Sequence, residues 1–150
     1  MALSNGCNHV TIVTQDLDRF IDFYTKCFDA EVRVDLDEGA LRHALIDMGA
    51  DFCLHPFQVT WPCEHKGGLP EMFKRGHVDH FAVNVTDQSS FETLRRRLVE
   101  CGASEGRIRD FGMVQVLAFQ DPDGMECELA LWKEGPLLTM AESKTEDFAA

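Results

Sequence analysis

Residues 7–16 read CNHVTIVTQD and residues 78–87 read VDHFAVNVTD. An offset of 71 residues lays His9 on His80, Ile12 on Val83, Asp16 on Asp87 and, further along, Phe20 on Phe91. Each copy reads as a strand, a short Thr/Asp turn and an amphipathic helix. Leu17, Phe20, Ile21, Tyr24 and Phe28 follow helical spacing in the first copy, and Phe91, Leu94, Leu98 and Val99 do so in the second. Asp16 and Asp87 stand where a carboxylate caps the free N–H groups of a first helical turn.

Past the helices the match resumes at an offset of 73 residues, LRHALIDMGADFCLH (41–55) over VQVLAFQDPDGMECE (114–128). Both read strand, tight turn, strand. Asp121-Pro122-Asp123-Gly124 is the stronger turn signal, with Pro presetting φ and Gly accepting a positive one. Under this offset His55 meets Glu128. The fold expected is α+β, with two tandem βαβββ modules in one domain over 1–133. Module one spans about 6–57, a connector 58–78, and module two about 79–133. Strands are expected near 8–14, 31–36, 41–48 and 51–57, and again near 79–86, 106–111, 113–120 and 125–132. The connector is rich in Pro and Gly, and a connector this long is often functional or mobile. The tail 134–150 loses hydrophobic periodicity and is expected to be partly disordered.

Composition narrows the function classes. In 150 residues, 45% hydrophobic and 27% charged is ordinary for a soluble globular chain. Six scattered cysteines form no C-x-x-C pair and read as free thiols rather than a disulfide framework or a Cys-rich zinc site. The net charge of −12 argues against nucleic acid or an anionic membrane surface as partner, and leaves a small molecule as the expected one. No apolar run is long enough for a membrane span, and the N-terminus lacks signal-peptide features, so a cytoplasmic location is expected. Arg95–Arg97 reads as a solvated helix face.

The pleat decides which residues meet. On the first strand of each copy Val10 and Ile12, or Phe81, Val83 and Val85, form an apolar face suited to packing on a helix. His9 and His80 therefore fall on the opposite, concave face. On the last strand Cys127, Leu129 and Leu131 alternate with Glu126 and Glu128. An acid on an inner sheet face is costly unless something cationic pairs with it. His9, His80 and Glu128 make a 2-His-1-carboxylate set that leaves coordination positions open. The expected cofactor is one divalent first-row metal ion: Fe, Mn, Ni, Co or Zn. His55 is either a fourth metal ligand or a catalytic acid–base group, and Glu128 is the other candidate catalytic residue. His43, Arg42, Gln115 and Asn84 are possible neighbours of the metal or substrate, each more often a bland structural residue. Glu126 is either a second acid at the cavity mouth or solvated. Phe57, Trp61, Met72 and Phe73 are candidates for an apolar wall, though core or dimer packing is the commoner use. Cys63 and His65 lack partners at metal-ligand spacing and read as loop.

DPDGMECEL (121–129) resembles the terminal turn and strand of the vicinal oxygen chelate superfamily, which includes glyoxalases, bleomycin-resistance proteins and extradiol dioxygenases. NHVTIVTQDLDRFIDFYTKCFDAEV (8–32), with its Phe23-Tyr24 pair, resembles the opening strand and helix of that family, and DHFAVNV (79–85) the start of its second module. The resemblance covers about 6–133. It implies a glyoxalase-like fold, a curved, barrel-like mixed sheet with helices outside, commonly as a homodimer. It also implies His9, His80 and Glu128 as metal ligands. His55 falls where glyoxalases carry Glu or Gln, which weakens a glutathione-linked lyase reading. The metal-free drug-binding members generally lack such a ligand set, which counts against sequestration of a drug. The function expected is a metal-dependent enzyme on a small oxygenated substrate bound bidentately, leaning to a non-haem Fe(II) extradiol-type dioxygenase. A glyoxalase- or epimerase-type lyase or isomerase and a small-molecule binding protein are the alternatives.

Overall fold

The computed structural model describes residues 7–63 and 78–149. The chain divides into two compact units, one through Gly68 and one from Leu69. Met72, Phe73 and His65 lie outside the described residues.

The first unit runs β1 (His9–Val13), α1 (Leu17–Phe28), β2 (Glu31–Asp37), β3 (Leu41–Asp47) and β4 (Cys53–Val59). Its sheet has the order β1-β4-β3-β2, with β1 parallel to β4 and the other pairs antiparallel. Asp16 caps α1, its side chain accepting from the Arg19 N–H at 3.0 Å. Leu17, Phe20, Tyr24 and Cys27 are the buried stripe of the helix. Val10 and Ile12 face inward on β1 while His9, Thr11 and Val13 are exposed, as the pleat requires. β4 extends to Val59, so the strand continues two residues into the expected connector, where Arg42 pairs with Gln58 and Leu41 with Val59. Gln58 then accepts from the Leu17 N–H at 2.7 Å, tying the sheet to the first turn of α1.

The second unit repeats the plan with β5 (Phe81–Asn84), α2 (Gln88–Glu100), β6 (Ile108–Asp110), β7 (Gly112–Gln120) and β8 (Glu126–Leu137), then adds β9 (Lys144–Glu146). Its sheet is ordered β5-β8-β7-β6-β9, with β5 parallel to β8. Asp87 caps α2 through the Ser90 N–H at 2.8 Å. The duplication holds at the level of register. Thr11 pairs with His55 in the first sheet, and Ala82 pairs with Glu128 in the second. The two-module α+β fold is therefore present, with its strands divided between two open sheets that do not close into a barrel.

The turn before β8 is built by its own sequence. The Asp121 carboxylate accepts from the N–H groups of Asp123 and Met125, each at 2.9 Å, and Gly124 takes φ 83°. The matching turn before β4 holds Ala50 and Asp51 at φ 50° and 62°, a left-handed backbone that side chains resist.

Two expectations need correction. Arg95 is not solvated: only 4% of it is exposed. Its guanidinium donates to the Gly106 carbonyl at 2.7 Å and to Glu146 at 2.8 Å, and lies over the Phe148 ring. The tail, expected to be partly disordered, continues β8 to Leu137 and returns as β9 along β6. The reason is tertiary: a three-residue strand without apolar alternation gains its order from β6 and from Arg95. Gly106 makes room for this, since a Cβ there would stand 2.6 Å from Val99 and 2.8 Å from Phe148. Arg95→Met is expected to lower the unfolding free energy by about 1–3 kcal/mol and to expose residues 138–149 to protease. Urea denaturation and limited proteolysis measure both, and an unchanged midpoint with an intact tail would contradict the assigned role.

Candidate metal and substrate site

Each unit brings together the pair of residues that the duplication assigns to it. In the first, the ring centroids of His9 and His55 are 5.6 Å apart. In the second, His80 Nε2 lies 3.7 Å from Glu128 Oε2. Parallel pairing is the cause. β1 lies beside β4 and β5 beside β8, and the histidine sits diagonally across from the donor on the neighbouring strand.

The rings are oriented by residues that the sequence reading missed. His9 Nδ1 is 2.8 Å from the Asn8 side-chain oxygen, and His80 Nδ1 is 2.9 Å from Asp79 Oδ2. A proton on Nδ1 would be shared with that oxygen, which is the tautomer that leaves Nε2 as the donor to a metal. This is the carboxylate– or carbonyl–imidazole support that metal-ligating histidines use. Asn8 and Asp79 are themselves equivalent at the offset of 71 residues, a signal present in NHV and DHF.

The donor chemistry of the second-unit pair fits a first-row ion. Two donors each about 2.1 Å from one ion stand about 3.0–3.4 Å apart for right-angled to tetrahedral coordination. Closing the observed 3.7 Å to that range takes a shift of a few tenths of an ångström. Among the described residues, no three His, Cys, Asp or Glu side chains are gathered as a ready-made metal group.

His55 has a different environment. Its Nε2 is 3.0 Å from His43 Nδ1, and Phe57 lies against both rings, stacked on His43 at 5.1 Å and tilted on His55 at 4.3 Å. Burial, then the neighbouring His43 and His9, hold the His55 pKa below that of an ordinary imidazole. His55 is therefore favoured as the neutral base, already paired with a second imidazole.

The remaining candidates sort by contact. Arg42 is committed to Asp35 at 2.8 Å and Asp18 at 2.9 Å. Gln115 is buried and donates to the Gln88 side-chain oxygen at 2.9 Å, joining sheet to helix. Asn84 is exposed on β5, Trp61 is half-exposed, and Cys63 is one of six free thiols.

The face of the second sheet that carries Val116, Ala118 and Glu128 forms a cavity of about 760 Å³. His80, Glu126 and Glu128 line one end, and Arg107 and Arg109 line the other. Between them the floor is small: Ala118 pairs with Glu128, and Val116 pairs with Arg109. Among the described residues no helix is long and apolar enough to cross a membrane.

Residues 6–129 match the family model of the Glyoxalase/Bleomycin resistance protein/Dioxygenase superfamily, and the chain belongs to that superfamily. A putative lactoylglutathione lyase from Brassica oleracea var. gemmifera is 30% identical over 125 residues, covering 81% of this chain and 42% of that protein. The chain thus spans less than half the length of this curated relative. The crystal structure of a glyoxylase/bleomycin resistance protein/dioxygenase domain from Frankia sp. EAN1pec superposes with a TM-score of 0.69 at 25% identity, over 90% of this chain and 96% of that one. A variant of the fosfomycin resistance protein FosX from Listeria monocytogenes, complexed with Mn(II) and 1S,2S-dihydroxypropylphosphonic acid, superposes at 0.59 over 86% of this chain and 93% of that one. At 15% identity that likeness carries the fold alone.

In metal-free protein the His55 ring is expected to titrate below about 6.5, and His43→Asn to move its midpoint back toward that value. The sign follows from linkage. Between the two midpoints the unfolded chain holds a proton that the folded chain lacks, so stability rises with pH across that window. Histidine C–H chemical shifts followed from pH 4 to 8 read this directly; a wild-type midpoint at or above the ordinary value would contradict the burial and pairing described.

Proposed function

We propose that this member of the superfamily is a metal-dependent enzyme that holds a small substrate by two neighbouring oxygens. His9, His80 and Glu128 are the proposed ligands of one divalent first-row ion, with His55 as the acid–base residue and His43 as its partner. The observation that carries the reading is the matched pair of histidines, each with its Nδ1 within hydrogen-bond distance of a side-chain oxygen of the residue before it. A Mn(II) complex in a protein of the same fold supports a divalent ion.

When bound, such an ion supplies Lewis acidity towards the two substrate oxygens and, as Fe(II), electron transfer to dioxygen. The chain's own residues do the rest. His80 and Glu128 set the orientation of whatever is chelated. His55, held neutral, takes a proton from a substrate hydroxyl and shares it with His43 across their 3.0 Å contact. Ala118 and Val116 leave the floor open to a flat molecule.

Within this class the leading reading is an extradiol-type dioxygenase, because the set has two imidazoles, one carboxylate and no second glutamate at the fourth position. A lyase or isomerase of glyoxalase type is the second reading, favoured by the His43–His55 pair as a proton shuttle and by the likeness to a putative lactoylglutathione lyase. A cytoplasmic homodimer remains part of the proposal.

Oxygen consumption on a panel of catechols is expected with the Fe(II)-loaded protein. Anaerobic exchange of a substrate C–H proton without oxygen uptake would favour the second reading. Protein that neither retains nor takes up a stoichiometric metal would instead point to a binding protein. His80→Ala is expected to abolish metal retention, and Asp79→Ala to weaken it about ten- to a hundredfold, as read by titration against a competing chelator. Full metal affinity in both variants would remove this pair from the site.

A further inference from the structure

We infer that Arg109 binds an oxyanion of the substrate, so that the molecule taken by the second-unit cavity carries a carboxylate or phosphoryl group in addition to its chelating oxygens. The inference deepens the chelating reading and rests on it.

The charge pattern sets Arg109 apart. The chain has 26 acidic residues against 14 Lys and Arg, so a guanidinium has many possible partners. Arg33, Arg42, Arg95 and Arg107 each have a carboxylate oxygen within 2.7–2.8 Å. Arg109 has none within ion-pair distance among the described residues; its polar contact is the Met140 sulfur at 4.0 Å. Yet it lines a cavity that also holds Glu105, Glu126 and Glu128. Glu105 lies beside Arg107, 3.8 Å away. The other two acids belong to the far end, because Glu126 pairs with Gln120 and Glu128 with Ala118, whereas Arg109 is opposite Val116. Acids and the uncommitted cation are thus segregated along the sheet.

The spacing suits one small molecule. Glu128 and Arg109 lie two strands apart and are offset by two residues, which places their Cα atoms roughly 12 Å apart. A Cα separation of that size, with both residues lining one cavity, is of the order of a single substituted ring between their side chains. Phe111 and Met140 line the cavity together with Arg109. A planar guanidinium fork matches a carboxylate or a phosphoryl group in two-point contact. Arg107 shares the face, since buried Ile108 separates the two, but it is committed to Asp147.

The test is anaerobic calorimetric titration of Mn(II)-loaded protein with catechol, 3,4-dihydroxybenzoate and 3,4-dihydroxyphenylphosphonate. At least one of the two anionic catechols is expected to bind about tenfold to a hundredfold more tightly than catechol itself. Arg109→Gln should erase that advantage while leaving catechol affinity unchanged, and Arg109→Lys should restore part of it. A greater advantage for the carboxylate or for the phosphonate supports the inference and assigns the anion class. Equal binding of all three compounds by wild type, or an advantage that survives in Arg109→Gln, overturns the inference and leaves chelation standing. Metal-loaded protein that binds none of them overturns the chelating reading and this inference with it. Circular dichroism melting confirms that the variants are folded.

Discussion

Parallel pairing of β1 with β4 and of β5 with β8 is the constraint on which the rest depends. A parallel pair cannot be joined by a tight turn, so a helix and a hairpin must intervene before the chain returns. That return places the donor of the later strand beside the histidine of the earlier one. Thr11 opposite His55 and Ala82 opposite Glu128 are one register used twice. A slip of one residue in either pair would turn the donor to the opposite face, where Leu54, Cys127 and Leu129 are buried. The site chemistry is thus tied to the packing of the sheet. The apolar alternation that buries one face determines which polar residues share the other.

Features carried by local pattern are legible in the sequence. The two offsets, the alternation on β1, β5 and β8, the aspartate caps and the Asp-Pro-Asp-Gly turn all rest on neighbours close in the chain. What escaped depends on distant partners. His43 meets His55 because β3 runs antiparallel to β4, with His43 opposite Phe57, a register that neither strand states alone. Arg95 looks like one of three solvated arginines until β9 and Phe148 arrive beside it. Arg42 was a possible substrate contact until Asp35 and Asp18 were seen to hold it. Asn8 and Asp79 are a different case. Their equivalence is legible in the sequence, but the contact each makes with the ring beside it depends on side-chain rotamers that the pattern does not state.

The distribution of charge joins fold to chemistry. With a net charge of −12, the chain repels anions at long range. Metal-binding carboxylates suit that field, and an anionic substrate does not unless a local cation offsets it. Most arginines near the surface are neutralised by their own aspartates and glutamates. Arg109, which has no carboxylate within ion-pair distance among the described residues, lines the cavity at the end away from Glu126 and Glu128. His55 takes the opposite course: burial and two neighbouring imidazoles lower its pKa, which favours proton transfer over ion pairing.

The central claim is that imidazoles from both halves of the chain ligate one ion. Electron spin-echo envelope modulation on Mn(II)-loaded protein counts the directly bound imidazole nitrogens. The account predicts two, falling to one in His9→Ala or His80→Ala if metal is retained at all; a third would add His55 to the ligands. A spectrum without imidazole coupling, or a count of two that stays unchanged from wild type in either variant, would contradict it.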